Sequence, residues 1–141
     1  MSWVRWYFAL PIAVVCGVGP GCSAGGPTLH PVRGTVLFNE QPAEGATVIL
    51  DPVAAAVGTA KPSGVVKADG TFSVQTHPLG EGAPAGEYVV LITWYPPGAR
   101  GLENPKNKLP AKYGDPGGTP VPKITVRPGR NDLEPFRLAG K

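Results

Sequence analysis

Cysteine is nearly absent from this chain of 141 residues: Cys16 and Cys22 are the only two, and both lie in the stretch "VVCGVGPGCSAGGP". With no third cysteine to partner them, a disulfide framework is excluded, and a Cys16–Cys22 bridge would close a loop too short to constrain much of the unfolded chain. A zinc site needs about four ligands, and the nearest histidine, His30, stands alone. Histidine is just as scarce, with only His30 and His77, each read as a solvated loop residue, so a nucleophile has no evident base beside it. Runs of like charge are also missing. The net charge is +3, its cations scattered singly from Arg33 onward, which disfavours nucleic acid as a partner. The apolar run from Trp6 to Val15 is shorter than the roughly 20 residues of a membrane helix, and Gly17, Gly19, Pro20 and Gly21 close it.

What the chain has in abundance is glycine, 20 residues, and proline, 18 residues. They punctuate short alternating apolar runs, as turn residues do in an all-β domain with frequent reversals. Before those runs begins "MSWVRWYFALPIAVVCGVGPGC", with one cation at Arg5, then the apolar stretch, then small residues. This layout predicts an export signal over residues 1–21. Its end resembles a bacterial lipoprotein signal: "GPGC" followed by "SAGG", with Gly19 where such signals usually carry an aliphatic residue. The resemblance implies that Cys22 becomes the first mature residue and that its thiol accepts acyl chains, making membrane lipid a partner. Cys16 reads as a small apolar residue of the signal. Ordinary cleavage nearby and an uncleaved anchor stay open as readings of the same segment. Residues 22–30 read as a flexible tether.

From residue 31 the pattern is that of strands. "PVRGTVLF" places Val32, Val36 and Phe38 on one face; "ATVILDP" does the same with Val48 and Leu50. "VAAAVGTAKPS" is too short and too broken by Gly58 and Pro62 to be a helix. In "GVVKADGTFSVQT", Asp69-Gly70 marks a tight hairpin turn, with Phe72 and Val74 pointing inward after it. "GEYVVLITW" has apolar residues on both faces, as a central strand would. "PKITVRPGRNDLEPFRL" reads as a last hairpin, its final strand at an edge or bulged because Pro135 cannot donate to a ladder. About seven strands without a mature helix predict an all-β sandwich over residues 31–141. Its expected core is Val36, Val48, Phe72, Val74, Tyr88, Val90, Ile92 and Val126.

"VRGTVLFNEQPAEGATVIL", "VVKADGTFSVQT" and "GAPAGEYVVLITW" run in the order seen in carboxypeptidase regulatory-like domains. The later "LPAKYGDPGGTPVPKITVRPGRNDLEPFRL" looks like the C-terminal part of small bacterial envelope lipoproteins built on that domain. The resemblance implies a single seven-stranded, Greek-key-type, transthyretin-like β-sandwich and an address in the cell envelope, on its periplasmic or surface face. It implies no reaction and no cofactor. Transthyretin-like hydrolases of purine breakdown end in a "YRGS"-type tail, whereas this chain ends "FRLAGK". Asp51, Asp69, Asp115 and Asp132 are candidate metal ligands but sit in turn contexts where Asp caps its own backbone, so no metal is expected. A self-forming isopeptide bond would need a lysine on the first strand, which carries Arg33 instead.

The stretch from Tyr95 to Pro122 holds 12 glycines and prolines among its 28 residues. A loop of this length is often functional. Trp94, Tyr95 and Tyr113 are its candidate ligand-binding residues; the competing reading is a proline-stiffened cover over a sheet edge, with Tyr113 as a packing anchor. The expectation is therefore a non-catalytic, lipid-anchored envelope protein whose sandwich is a structural or interaction module for an envelope protein or glycan. The alternative is a carbohydrate- or peptide-binding module that uses the 95–122 loop.

Overall fold

Period-two alternation of apolar residues is carried through into strands. The computed structural model describes residues 26–56, 58–98, 101–103 and 105–140. Among them are β1 (Leu29–His30), β2 (Val32–Phe38), β3 (Gln41–Pro42), β4 (Thr47–Pro52), β5 (Ser63–Val65), β6 (Thr71–Ser73) and β7 (Gln75–Thr76). They continue as β8 (Gly80–Glu81), β9 (Ala83–Pro84), β10 (Gly86–Thr93), β11 (Ile124–Val126), β12 (Asn131–Asp132) and β13 (Phe136–Leu138). The described residues contain no α-helix, only a 3₁₀ turn at Ala111–Gly114. The protein is all-β.

Besides a two-stranded β1–β9 sheet, two larger curled sheets pack on a shared core. The larger runs β11-β10-β4-β5-β7-β8, and all of its pairings are antiparallel. The smaller is organised around β2, with β6 and β3 antiparallel along one edge and β12 and β13 parallel along the other. All eight residues of the expected core are at most 3 % exposed. Val32, Leu50, Phe136 and Leu138 join them in one cluster. The outward residues of β2 and β4, such as Arg33 and Thr47, remain exposed or half-buried.

Gly34 shows how a missing side chain shapes this core. A Cβ there would lie 2.7 Å from Cζ of Phe72, its partner across the β2–β6 ladder. The vacancy lets the Phe72 ring lie over β2 and stack on Phe136 from the opposite edge, centroids 6.2 Å apart and planes 17° from parallel. The β2–β3 hairpin turns through Asn39 and Glu40, both in the left-handed region at φ 49° and 65°, which matches the twist of the flanking strands.

Several details differ from the sequence-based expectation. The Asp69-Gly70 turn does not form a hairpin within one sheet: it carries the chain from β5 in the larger sheet to β6 in the smaller. Only Gly70, at φ 86°, has a positive φ there. The last two strands are not a hairpin either, because β11 joins β10 while β12 and β13 run parallel to β2. The Asn131 side chain gives the reason. Its Oδ1 accepts the Arg127 N–H at 3.0 Å and its Nδ2 donates to the Arg127 carbonyl at 2.9 Å, so a side-chain amide takes the place of the returning strand. Pro135 falls where the register against β2 slips by one residue, from Asp132 opposite Arg33 to Phe136 opposite Val36, a bulge on an edge strand. Pairing with β9 also begins at Leu29, two residues ahead of the expected boundary. His30 is a strand residue whose Nδ1 accepts the Gly129 N–H at 3.3 Å.

Candidate functional site

β10 pairs with β11 over Gly86 to Tyr88 and with β4 from Tyr88 to Thr93. β11 covers Gly86 to Tyr88, after which the edge lies open. Alternate residues of a strand turn their backbone groups to the same side, so Val90 and Trp94 present theirs to this open edge. The long Pro/Gly segment closes it. The Thr119 hydroxyl donates to the Val90 carbonyl at 3.3 Å, the Trp94 N–H donates to Asn107 Oδ1 at 2.8 Å, and the Lys108 N–H donates to the Trp94 carbonyl at 2.7 Å. Leu109 and Val121 drop from the segment into the core at 3 % and 8 % exposure. This arrangement is a cover that prevents the edge from pairing with another chain.

The three aromatic candidates have different surroundings. Trp94 is half-buried, edge-on to Phe38 at 5.9 Å and 80°, with Lys108 Nζ 4.8 Å from its ring centre. Tyr113 is buried in the core cluster, and its hydroxyl bonds the backbone of Ala139. Tyr95 points outward, 42 % exposed, and stands between two shallow hollows. Gly45, Thr47, Pro96, Pro97 and Pro105 line the first, of about 510 Å³; Thr93, Asn107, Leu109 and Asp115 line the second, of about 480 Å³. A larger groove of about 630 Å³ runs between β11 and β12–β13, with Tyr113 in its wall. Asn107 carried no sequence signal beyond its place in "PKNKL". Its Oδ1 accepts two backbone N–H groups, from Trp94 and from Leu109 at 3.1 Å, and so fixes the base of the loop.

The four aspartates separate into two kinds. Asp69 caps its own turn, accepting the Thr71 N–H at 3.0 Å and the Thr71 hydroxyl at 2.7 Å; these bonds hold its pKa below the ordinary value of 3.8. Asp115 likewise accepts the Gly117 N–H at 3.0 Å. Asp51 and Asp132 lie in strands instead of turns, paired with Lys61 at 2.8 Å and Arg130 at 2.9 Å. Tyr88 donates its hydroxyl to the Pro84 carbonyl at 2.7 Å, and burial raises its pKa. His77 is an exposed turn residue. Cys16, Cys22 and the signal lie outside the described residues.

No protein-family model, no curated protein and no solved structure matches the chain.

Proposed function

We propose that this protein is a non-catalytic, lipid-anchored component of a bacterial cell envelope, its β-sandwich serving as a structural or interaction module. The observation that carries the reading is the order of features at the N-terminus. Arg5, the apolar run from Trp6 to Val15 and the small residues lead to Cys22, and among the described residues strand pairing begins at Leu29. An acylated Cys22 would stand seven residues before that strand, a reach of at most ~25 Å, so the body would sit close to the bilayer.

The fold we propose is the transthyretin-like sandwich of carboxypeptidase regulatory-like domains. Counting β12 with β13 as one interrupted strand and β6 with β7 as one strand that crosses from the smaller sheet to the larger, and setting aside the two-residue pieces β1, β3, β8 and β9, gives a count of seven. The use of polar side chains supports a module over an enzyme. Thr76, Asp69, Asn107, Asp115 and Asn131 are engaged in holding backbone groups in place.

Labelled palmitate incorporation, intact mass and membrane fractionation test the anchor. The expected protein begins at Cys22, carries lipid mass and enters the detergent phase, because two or more acyl chains anchor stably where one does not. Cys22→Ser should release it or leave the precursor uncut, and Cys16→Ser should change neither. A soluble species starting downstream of Cys22 without lipid would overturn the reading.

A further inference from the structure

In the second hollow beside Tyr95 the edge cover uses one end of the Asn107 amide and leaves the other. Asn107 Oδ1 accepts two backbone N–H groups, at 2.8 and 3.1 Å, and only an oxygen can do so, which settles the orientation of the amide. Its Nδ2 makes no hydrogen bond among the described residues, and no side-chain nitrogen or oxygen there is both buried and unpaired. Nδ2 is therefore not sealed off from solvent, and Asn107 lines a hollow of about 480 Å³ together with Tyr95, itself 42 % exposed, and Asp115. Asp115 commits Oδ1 to the Gly117 N–H, so part of its carboxylate is also held in place.

We infer that this hollow is a saccharide-binding site, with the Tyr95 ring stacking on the apolar face of a sugar and the Asn107 amide donating to its hydroxyls. A few fixed polar groups around an apolar platform are the usual means by which a small-ligand site sets orientation. Among the described residues the charged side chain in the wall is the Asp115 carboxylate, which disfavours an anionic ligand. Strand addition at this point is blocked, because the Trp94 N–H and carbonyl on the β10 edge are already bonded to Asn107 and Lys108. What remains is a ring face and directed donors. The Pro96, Pro97 and Pro105 hollow on the other side of Tyr95 extends the surface, giving room for a glycan longer than one unit.

The inference goes beyond the role of envelope module and stands whether or not Cys22 is acylated. Calorimetric titration of the full chain with cellohexaose, maltohexaose and the hexamer of N-acetylglucosamine tests it, with a proline-rich decapeptide as comparator. At least one hexasaccharide should bind with a Kd of ~1 mM or tighter. Tyr95→Ala should weaken it by about tenfold or more, and Tyr95→Phe by less than about threefold. Asn107→Asp keeps the acceptor for both N–H groups and removes the donors. It should weaken binding by about fivefold or more while leaving the melting temperature in place. Absence of binding to all three sugars, full affinity in Tyr95→Ala or Asn107→Asp, or binding of the peptide in place of the sugars would overturn the assignment. Sugar binding by a chain that fractionates as soluble would remove the anchor and leave the site standing.

Discussion

The Tyr113 hydroxyl donates to the Ala139 carbonyl at 3.2 Å and accepts the Ala139 N–H at 3.0 Å. One side chain from the Pro/Gly segment thus pairs both backbone groups of a residue just past β13, as a neighbouring strand would. Tyr113→Phe keeps the ring in the core and removes both bonds. It should cost about 1–2 kcal/mol in urea unfolding and leave sugar binding unchanged. An unaltered unfolding midpoint would show that water replaces the hydroxyl without loss.

Gly34 and Phe72 should behave as one unit. Gly34→Ala places a methyl 2.7 Å from the ring as it now stands and should destabilise by roughly 1–3 kcal/mol through overpacking. Phe72→Ala should cost about 3–5 kcal/mol. In a Phe72→Leu background the added methyl finds space, so the two effects should fall short of additive in a double-mutant cycle. Strict additivity would mean that the ring does not depend on the vacancy above Gly34.

Glu40 should be improvable. It holds a left-handed φ of 65° in a two-residue hairpin turn after Asn39, the position where glycine is favoured. Its ion pair with Arg137 joins two well-exposed side chains and contributes little. Glu40→Gly relieves a left-handed strain of about 1–2 kcal/mol against about 0.4–1 kcal/mol of added unfolded-state freedom, and should stabilise by about 0.5–1 kcal/mol, read as a higher thermal midpoint.

Asp69 supplies a pH dependence of definite sign. Its bonds from Thr71 favour the ionised form and lower the folded-state pKa beneath 3.8. Its contribution is therefore complete above the unfolded-state pKa and is lost as pH falls through the folded one. Asp69→Asn should narrow the stability gap between pH 6 and pH 2.5 in denaturant melts. An identical acid profile in wild type and variant would assign that gap to other carboxylates.

Much of the interior was legible because alternation is a local property. Val36, Val48, Phe72, Val74, Tyr88, Val90, Ile92 and Val126 could be assigned to the core from their own neighbours in sequence, and all are buried. Pairing is not local. "ITVRPGRNDLEPFRL" contains a turn, yet the Asn131 amide satisfies Arg127 and releases the following residues to β2, a choice that depends on a strand about a hundred residues earlier. Leu109 and Val121 were equally hidden. Each is a lone apolar residue among prolines and polar groups with no period to mark it, buried only because the open edge of β10 draws the segment inward. Within the site, the three aromatics were visible by type, but which of them faces solvent is decided by Phe38 and Ala139, which are distant in sequence.

The parallel pairing of β2 with β13 also bears on when the protein can fold. Phe136 lies opposite Val36 and Leu138 opposite Phe38, so β2 gains this neighbour only after about a hundred further residues have been made. Contacts of such wide sequence separation slow folding, because the loop between them must close before any stabilisation is returned. A nascent chain that has not yet reached β13 leaves β2 unpaired on this side along Val36 to Phe38.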